Sequence, residues 1–151
     1  MHHRDLMTEF STALGKVDTA YALVAQRYNL TFNGLMTLYI VDEKNEVTQK
    51  EISDTLFLPK STVHSLLLKL QKQEILELTK GKNAKEKFII FTDKGREVFE
   101  EIQGQTDLFE TRVIEEFGLD NAQKFLESTK IFTDSLLQNA RKVMEDKEDE
   151  A

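Results

Sequence analysis

The sequence predicts a mainly α-helical fold with a small two-stranded β-wing, and three observations support this prediction. Apolar residues recur at helical spacing over most of the chain. A short central stretch is rich in apolar and β-branched residues on both sides of a polar loop, as in a β-hairpin. Immediately before it, two short helical patterns are joined by a tight turn. Together these features indicate a winged helix-turn-helix domain flanked by N- and C-terminal dimerisation helices.

Composition narrows the class of protein. The 151 residues are a one-domain length, and 40% hydrophobic residues suffice for a core. The lack of cysteine excludes disulfides and thiolate metal sites and fits a reducing cytoplasm. The sequence has no run of 18 apolar residues, and its N-terminus is charged where a signal peptide would be apolar. We therefore expect a soluble cytoplasmic protein.

Two helices and the turn between them are predicted from local signals. Thr48 followed by Glu51 is a capping-box signature that starts the first helix. Phe57 and Leu58 form the predicted turn. Pro59 is expected at the first position of the second helix, where its missing N–H would have no partner in any case. The segment therefore predicts a helix-turn-helix.

The second helix has two contrasting faces when its residues are placed at 100° intervals. The inward face consists of Val63, Leu66, Leu67 and Leu70. The outward face consists of Ser61, Ser65, Leu68 and Lys72, with Lys60 and His64 beside it. Serine hydroxyls and lysine amines reach phosphates and base edges, so this face is a candidate DNA-reading surface. An ordinary helical corner with a solvated polar face is the alternative.

A β-hairpin is predicted directly after the second helix. Residues 76–80 and 86–91 have β-strand composition and are separated by the polar loop GKNAK. A helix, a turn, a second helix and a two-stranded ribbon follow the winged-helix order. The ribbon would offer Lys80, Lys82, Asn83, Lys85 and Lys87 to a flanking minor groove or to the DNA backbone. A solvated loop that keeps the hairpin from aggregating is the alternative.

The charge of the chain is unevenly distributed. Residues 48–96 contain ten Lys or Arg and six acids, a balance of +4. Because the net charge of the whole sequence is −7, the remaining residues carry a net charge of −11. A basic island within an acidic chain is typical of a surface for polyanions. The predicted DNA-binding residues are Lys60, Ser61, Thr62, His64, Ser65, Lys69, Lys72, Lys82, Asn83 and Lys85.

Long amphipathic helices are predicted on both sides of this unit. Residues 5–28 and 92–117 keep apolar stripes at helical spacing. Gly118 is expected to end the second of these, and Asp120 with Gln123 is a capping signature for a last helix that runs to an acidic, frayed tail. Terminal helices of about 24 residues would each be ~36 Å long.

The terminal stripes expose more apolar surface than the compact central unit can cover. Packing them between two copies would bury both stripes and set two reading helices ~34 to 36 Å apart, which is the spacing of successive major grooves. The prediction is therefore a homodimer. An intramolecular bundle in a monomer is the alternative.

These segments resemble the MarR (multiple-antibiotic-resistance) family of bacterial winged-helix regulators over essentially the whole chain. QKEISDTLFLPKSTVHSLLLKLQKQEIL is similar to the family's helix-turn-helix, with Ser61, Thr62 and Val63 as its core. FTDKGREV at residues 91–98 resembles the family's segment after the wing. The resemblance implies a homodimeric transcription factor, usually a repressor, that reads a pseudo-palindromic operator and is released or retuned by a small effector.

The resemblance also implies a domain plan for one MarR-like domain over residues 1–151. Residues 5–30 and 119–145 would be dimerisation helices, residues 31–97 the winged helix-turn-helix region, residues 98–117 a connecting helix, and residues 146–151 a disordered acidic tail.

The chain departs from the family pattern in three respects. The wing tip has Asn83, Ala84 and Lys85 where an aspartate and two arginines are common, so weaker and less shape-selective wing contact is expected. Ser65 and Leu68 occupy positions where arginine and lysine are frequent; an exposed Leu68 could touch a thymine methyl, but a single exposed leucine is the favoured interpretation. Glu74 replaces a common helix-ending glycine.

An effector site is predicted with less support from the residues. Apolar and aromatic side chains near the junction of the predicted regions could orient a phenolic or fatty ligand, although aromatics at helical spacing are more often core. The candidates are Tyr21, Tyr28, Phe32, Met36 and Tyr39, with Phe88 and Phe99. No metal or cofactor is expected, because His2 and His3 are terminal and His64 lies on the groove-facing helix.

Catalysis is not expected. The six glycines form neither a dinucleotide-binding pattern nor a phosphate-binding loop, and no nucleophile with a base is apparent. The stronger rival is a winged-helix protein-interaction module that has lost DNA binding, which the arginine-poor wing leaves open. Salt-dependent binding to duplex DNA separates the two functions.

Overall fold

The computed structural model describes residues 2–80 and 87–148, without the side chains of residues 146–148. The helices are α1 (His3–Arg27), α2 (Phe32–Lys44), α3 (Gln49–Leu56), α4 (Lys60–Lys72), α5 (Asp93–Phe117) and α6 (Leu119–Glu148); the strands are β1 (Leu76–Lys80) and β2 (Lys87–Phe91). The predicted fold class, mainly helical with a small β-wing, is confirmed. The chain divides into two compact units, Met1–Thr106 and Asp107–Ala151.

The first unit contains one apolar core to which α2, α3, α4, the hairpin and the first part of α5 all contribute. Its fully buried side chains include Leu38 of α2, Ile52 of α3, Leu70 of α4, Ile89 of β2 and Phe99 of α5. Because each element places its apolar face against the same core, the helix-turn-helix and the wing are held as one body.

Helix α2 lies at the centre of this unit, although no helix was predicted from the sequence between residues 31 and 47. The Thr31 hydroxyl accepts a hydrogen bond from the Gly34 amide at 3.0 Å and caps its first turn. Its apolar residues are buried on several sides rather than along one stripe. The buried residues of α2 are Gly34, Leu35, Thr37, Leu38, Ile40 and Val41.

The two strands of the wing pair in antiparallel register. Leu76 lies opposite Phe91, and Lys80 lies opposite Lys87. At the base of the wing, the Ile89 amide donates to the Val47 carbonyl at 2.8 Å, which anchors β2 to the segment before α3. The predicted wing tip, with Lys82, Asn83 and Lys85, lies outside the described residues.

Several predicted boundaries are corrected by the structure. Pro59 is the residue before α4, with ψ 143°, so the helix begins at Lys60 rather than at the proline. Helix α6 begins at Leu119 directly after Gly118, which places Asp120 inside the first turn and not at the cap. Helix α1 spans His3–Arg27, close to the helical stripe predicted for residues 5–28 and short of residue 30 in the domain plan.

Two further corrections concern α5 and α6. The helix predicted for residues 92–117 begins at Asp93, where Thr92 caps its first turn, so the domain-plan boundary at residue 98 falls inside α5. Helix α6 continues to Glu148, three residues into the segment predicted to be a disordered tail, and residues 149–151 lie outside the description.

The second unit consists of the end of α5 and the whole of α6, joined at Gly118. Gly118 has φ +86°, a conformation that glycine adopts without strain, and so turns the chain between the two helices as predicted. The rings of Phe117 and Phe125 meet edge to face across this turn, with centroids 6.3 Å apart. No described helix is long and apolar enough to cross a lipid bilayer.

Candidate nucleic-acid interface

The start of α3 is fixed by a reciprocal cap. The Glu51 amide donates to the Thr48 hydroxyl at 3.2 Å, and the Thr48 amide donates to the Glu51 carboxylate at 2.8 Å. The Thr48 amide, followed by its hydroxyl, lowers the pKa of Glu51 below its ordinary value of 4.5, and Lys44 at 3.7 Å adds to this shift. The predicted capping box is therefore present.

The turn between α3 and α4 is held by Ser53. The Ser53 carbonyl accepts from the amides of Phe57 and Leu58, and its hydroxyl donates to the Leu58 carbonyl at 2.6 Å. The Gln49 amide group donates to the Lys60 carbonyl at 3.0 Å, which ties the first residue of α3 to the first residue of α4. The angle between the two helices is thus set by hydrogen bonds as well as by the core.

Helix α4 is oriented by the burial of its inward face. Val63, Leu67 and Leu70 are at most 5% exposed, and Leu66 packs against the same core. Rotating the helix would expose these side chains to water, so the opposite face is fixed toward solvent.

The outward face of α4 is free within the described structure. The predicted DNA-binding residues on it are all exposed: Lys60, Ser61, Thr62, His64, Ser65, Lys69 and Lys72. Leu68 lies among them and is 52% exposed. The Ser65 hydroxyl donates to the Ser61 carbonyl at 3.1 Å within the helix, which leaves its oxygen able to accept a further hydrogen bond.

Charge on this face is positive and uncompensated. Helix α4 contains three lysines and no acid. In the described part of the chain, Lys60, Lys69 and Lys72 form no ion pair, whereas Lys44, Lys50 and Lys94 each pair with a carboxylate. An exposed basic face beside small hydroxyls suits contact with phosphates and base edges.

Comparison with known proteins relates the central part of the chain to a known family. The MarR family model matches residues 28–85, from the end of α1 through the helix-turn-helix to the wing. No curated protein matches the chain. Residues 28–85 therefore match the MarR family.

Solved structures share the fold of this chain at low sequence identity. A MarR family regulator from Neisseria meningitidis has a TM-score of 0.78 at 18% identity, over 94% of this chain and 99% of that one. The complex of Staphylococcus aureus MepR with DNA has a TM-score of 0.74 at 17% identity, over 84% and 93%. Staphylococcus aureus MarR with salicylate and kanamycin has a TM-score of 0.73 at 17% identity, over 89% and 92%.

The MarR-like segment after the wing has a structural role that sequence reasoning missed. The Thr92 hydroxyl accepts from the Gly95 amide at 2.9 Å and donates to the Glu74 carbonyl at 2.6 Å. The Thr92 amide donates to the Ile75 carbonyl at 3.1 Å. The side chain of Lys94 reaches the Glu74 carboxylate at 2.9 Å, and this hydrogen bond lowers the pKa of Glu74. The segment therefore fixes the start of α5 to the residues that follow α4.

Arg96 completes this connection from the other side. Its guanidinium pairs with the Asp42 carboxylate of α2 and lies over the Phe91 ring of β2, 4.4 Å from the centroid. Gln103 reaches the second Asp42 oxygen at 3.4 Å. One side chain thus joins α2, the wing and α5, a role that the KGR tripeptide alone did not reveal.

The predicted effector residues lie at the edge of the core. Tyr21, Tyr28, Met36 and Tyr39 are half-buried and pack against it. The Tyr39 hydroxyl lies 2.5 Å from the Thr106 hydroxyl, and its ring meets Phe99 edge to face at 5.2 Å. Phe32 is half-buried at the first residue of α2.

A surface cleft of about 520 Å³ lies elsewhere in the first unit, and none of the predicted effector residues lines it. Its walls come from the end of α4, from β1 and from the start of α5. Over the described ranges 2–80 and 87–148, no three His, Cys, Asp or Glu side chains are grouped to hold a metal ion.

Proposed function

We propose that this chain is a DNA-binding transcriptional regulator of the MarR family that acts as a repressor, as a homodimer on a pseudo-palindromic operator. The observation that supports this proposal is the outward face of α4, which is exposed, basic and free of acids, while the opposite face is buried in the core. In a helix-turn-helix protein this is the helix that enters the major groove. A protein of the same fold, MepR, has been solved with DNA.

Each predicted contact residue has a specific role in this proposal. Lys60, Ser61, Thr62, His64 and Ser65 read base edges, because the N-terminal part of a recognition helix lies deepest in the groove. Lys69 and Lys72 neutralise phosphates further along α4. Lys82, Asn83 and Lys85 of the wing, outside the described residues, contact the flanking groove or backbone.

Apolar surface supports the homodimer. In the first unit, several large side chains of α1 are 40 to 63% exposed: Leu6, Leu14, Val17 and Leu23. In the second unit, α6 has no buried residue among positions 119–145. Its exposed apolar side chains are Leu119, Phe125, Leu126, Ile131, Leu136, Leu137, Val143 and Met144. Surface of this extent on a single chain is typical of an interface between copies.

A small aromatic effector is a further part of the proposal. A protein of the same fold is known bound to salicylate. In this chain, Tyr21, Tyr28, Phe32, Met36 and Tyr39 combine apolar surface with hydroxyl groups, as ligand sites commonly do. Salicylate added to the DNA complex is expected to weaken binding, and Tyr39→Phe is expected to reduce that response.

Selection of bound fragments from random duplex DNA tests the proposal. We expect enrichment of an inverted repeat whose half-sites lie about one helical turn apart, and a dimer in solution by light scattering. Transcription in vitro from a promoter carrying that repeat should fall when the protein is added. If no sequence is enriched and duplex binding does not respond to salt, the protein-interaction module is the better description.

A further inference from the structure

Phe57, in the turn between α3 and α4, is unusually exposed. Its side chain is 81% exposed, the highest value among the exposed large apolar side chains of the described residues. The other members of the helix-turn-helix with apolar side chains mostly contribute to the core, as Ile52 and Val63 do. An aromatic ring this exposed contributes little buried apolar area to the stability of the fold.

The backbone at Phe57 is also in a disfavoured conformation. Its φ and ψ are 53° and 35°, the left-handed region that glycine and asparagine adopt with less strain than an aromatic residue. Exposure of the ring and strain in the backbone each lower the stability of the folded protein, and both occur at Phe57. Strain of this kind, when observed, points to a functional role for the side chain.

The turn presents the ring rigidly. Ser53 makes three hydrogen bonds to the turn, accepting from Phe57 and Leu58 and donating to the Leu58 carbonyl. A side chain on a backbone fixed in this way loses little conformational freedom when it meets a partner. An aromatic side chain with only two rotatable bonds adds to this advantage.

The location of the ring identifies its partner. Phe57 precedes Lys60 by three residues, and the Gln49 contact to the Lys60 carbonyl keeps the start of α3 beside the start of α4. A helix-turn-helix inserts the N-terminal end of its second helix into the major groove, while its first helix crosses the backbone. If α4 enters the major groove as proposed, the turn lies at the DNA surface, beside the basic face of α4.

We propose that the Phe57 ring packs against an apolar group of the bound duplex, either a thymine C5-methyl in the major groove or the C–H face of a deoxyribose. Aromatic contact with thymine methyl groups is an established form of base readout. This inference rests on the proposed DNA binding and adds a contact residue that its basic and polar face does not include.

Phe57→Gly is the main test variant, because glycine removes the ring and relieves the left-handed strain at the same time. We expect Phe57→Gly to bind the selected operator about tenfold more weakly or worse, while its thermal unfolding temperature stays equal or rises. Weaker binding by a protein of equal or higher stability cannot be attributed to misfolding.

Replacement of each operator thymine by deoxyuridine, symmetrically in both half-sites, separates the two apolar partners. If one position weakens the wild-type complex about fourfold per methyl and leaves the Phe57→Gly complex unchanged, the thymine methyl is the contact. If Phe57→Gly weakens binding and no deoxyuridine position distinguishes the two proteins, the deoxyribose face is the contact.

Two outcomes overturn the inference in distinguishable ways. Equal operator affinity of wild type and Phe57→Gly would reject the contact while leaving the DNA-binding function intact. Absence of specific DNA binding by the wild type would reject both. As a direct probe, Phe57→Trp introduces the first tryptophan of the chain, and its emission should change on addition of operator but not of salt alone.

Discussion

Gly95 lies directly against the carbonyl group of Ile75. A Cβ atom built on Gly95 would be 1.8 Å from the Ile75 oxygen and 2.7 Å from its carbonyl carbon. The first turn of α5 therefore packs on the backbone that joins α4 to β1, at a separation that any other residue would prevent. This close approach holds the start of α5 against the junction of α4 and β1.

Gly95→Ala is expected to destabilise the protein by about 3 kcal/mol or more, because backbone must move to admit the methyl group. Gly104→Ala is the matched control in the same helix, since a Cβ there meets nothing within 4 Å. Gly104→Ala should stabilise the fold by about 0.5 to 1 kcal/mol through helix propensity. Denaturant unfolding of both variants measures the contrast, and equal effects would refute this role of Gly95.

Because Glu51 takes part in the capping box, its contribution to the stability of the folded protein is expected to depend on pH. Hydrogen bonds from Thr48 lower the folded-state pKa of Glu51 below 4.5, so the unfolded chain binds its proton more readily than the folded one. The stabilisation is therefore present above about pH 4.5 and is lost as the pH falls through the lower folded-state pKa.

Glu51→Gln isolates this contribution. At neutral pH the variant should be less stable by a few tenths of a kcal/mol, a small value because the carboxylate is largely exposed. Below the folded-state pKa the two proteins should converge in stability. A difference that stayed constant or grew as the pH fell would contradict the assignment.

The stabilisation that Arg96 provides is expected to depend on its planar guanidinium group and not only on its positive charge. Arg96→Lys keeps a cation near Asp42 but removes the planar group that lies over the Phe91 ring, so we expect a loss of about 1 kcal/mol. A double-mutant cycle with Asp42→Asn should give a coupling energy of about 0.5 to 1 kcal/mol, since both side chains are partly exposed. Additive effects in that cycle would mean that the ion pair contributes nothing to stability.

The sequence predicts those features that are determined by residues close together in the chain. The apolar repeat of Val63, Leu67 and Leu70 correctly predicts which face of α4 is buried, and Thr48 with Glu51 correctly predicts the start of α3. These features depend on residues three or four apart. The period and the cap can therefore be read without knowing the rest of the fold.

Features that depend on distant residues were not predicted. The need for glycine at position 95 arises from Ile75, twenty positions away, and the role of Arg96 arises from Asp42 in another helix. Helix α2 carries no clear apolar stripe because it is buried on several sides, so the periodicity of the sequence does not reveal it.

The left-handed conformation of Phe57 has no sequence signal, because glycine is the usual residue there.

Salt dependence should show how many lysines contact phosphate. If Lys60, Lys69, Lys72, Lys82 and Lys85 each neutralise one phosphate in both subunits of a dimer, the slope of log affinity against log salt approaches about −9. Lys69→Ala should reduce the steepness by about 2, while Lys130→Ala on α6 should leave it unchanged. A flat response for the wild type would reject electrostatic DNA binding.

Ser61 and Ser65 are expected to determine the preference for the operator sequence and to contribute little to binding of unrelated DNA. Removal of either hydroxyl should cost ~1 to 3 kcal/mol on the selected operator and little on unrelated duplex, because only the operator offers the matching base edge. Ser128→Ala on α6 is the matched control, since its hydroxyl donates to the Lys124 carbonyl at 2.8 Å just as Ser65 donates to Ser61. Competition binding against scrambled DNA measures the discrimination. Should Ser61→Ala and Ser65→Ala discriminate as well as Ser128→Ala, the base contacts must come from other residues of α4.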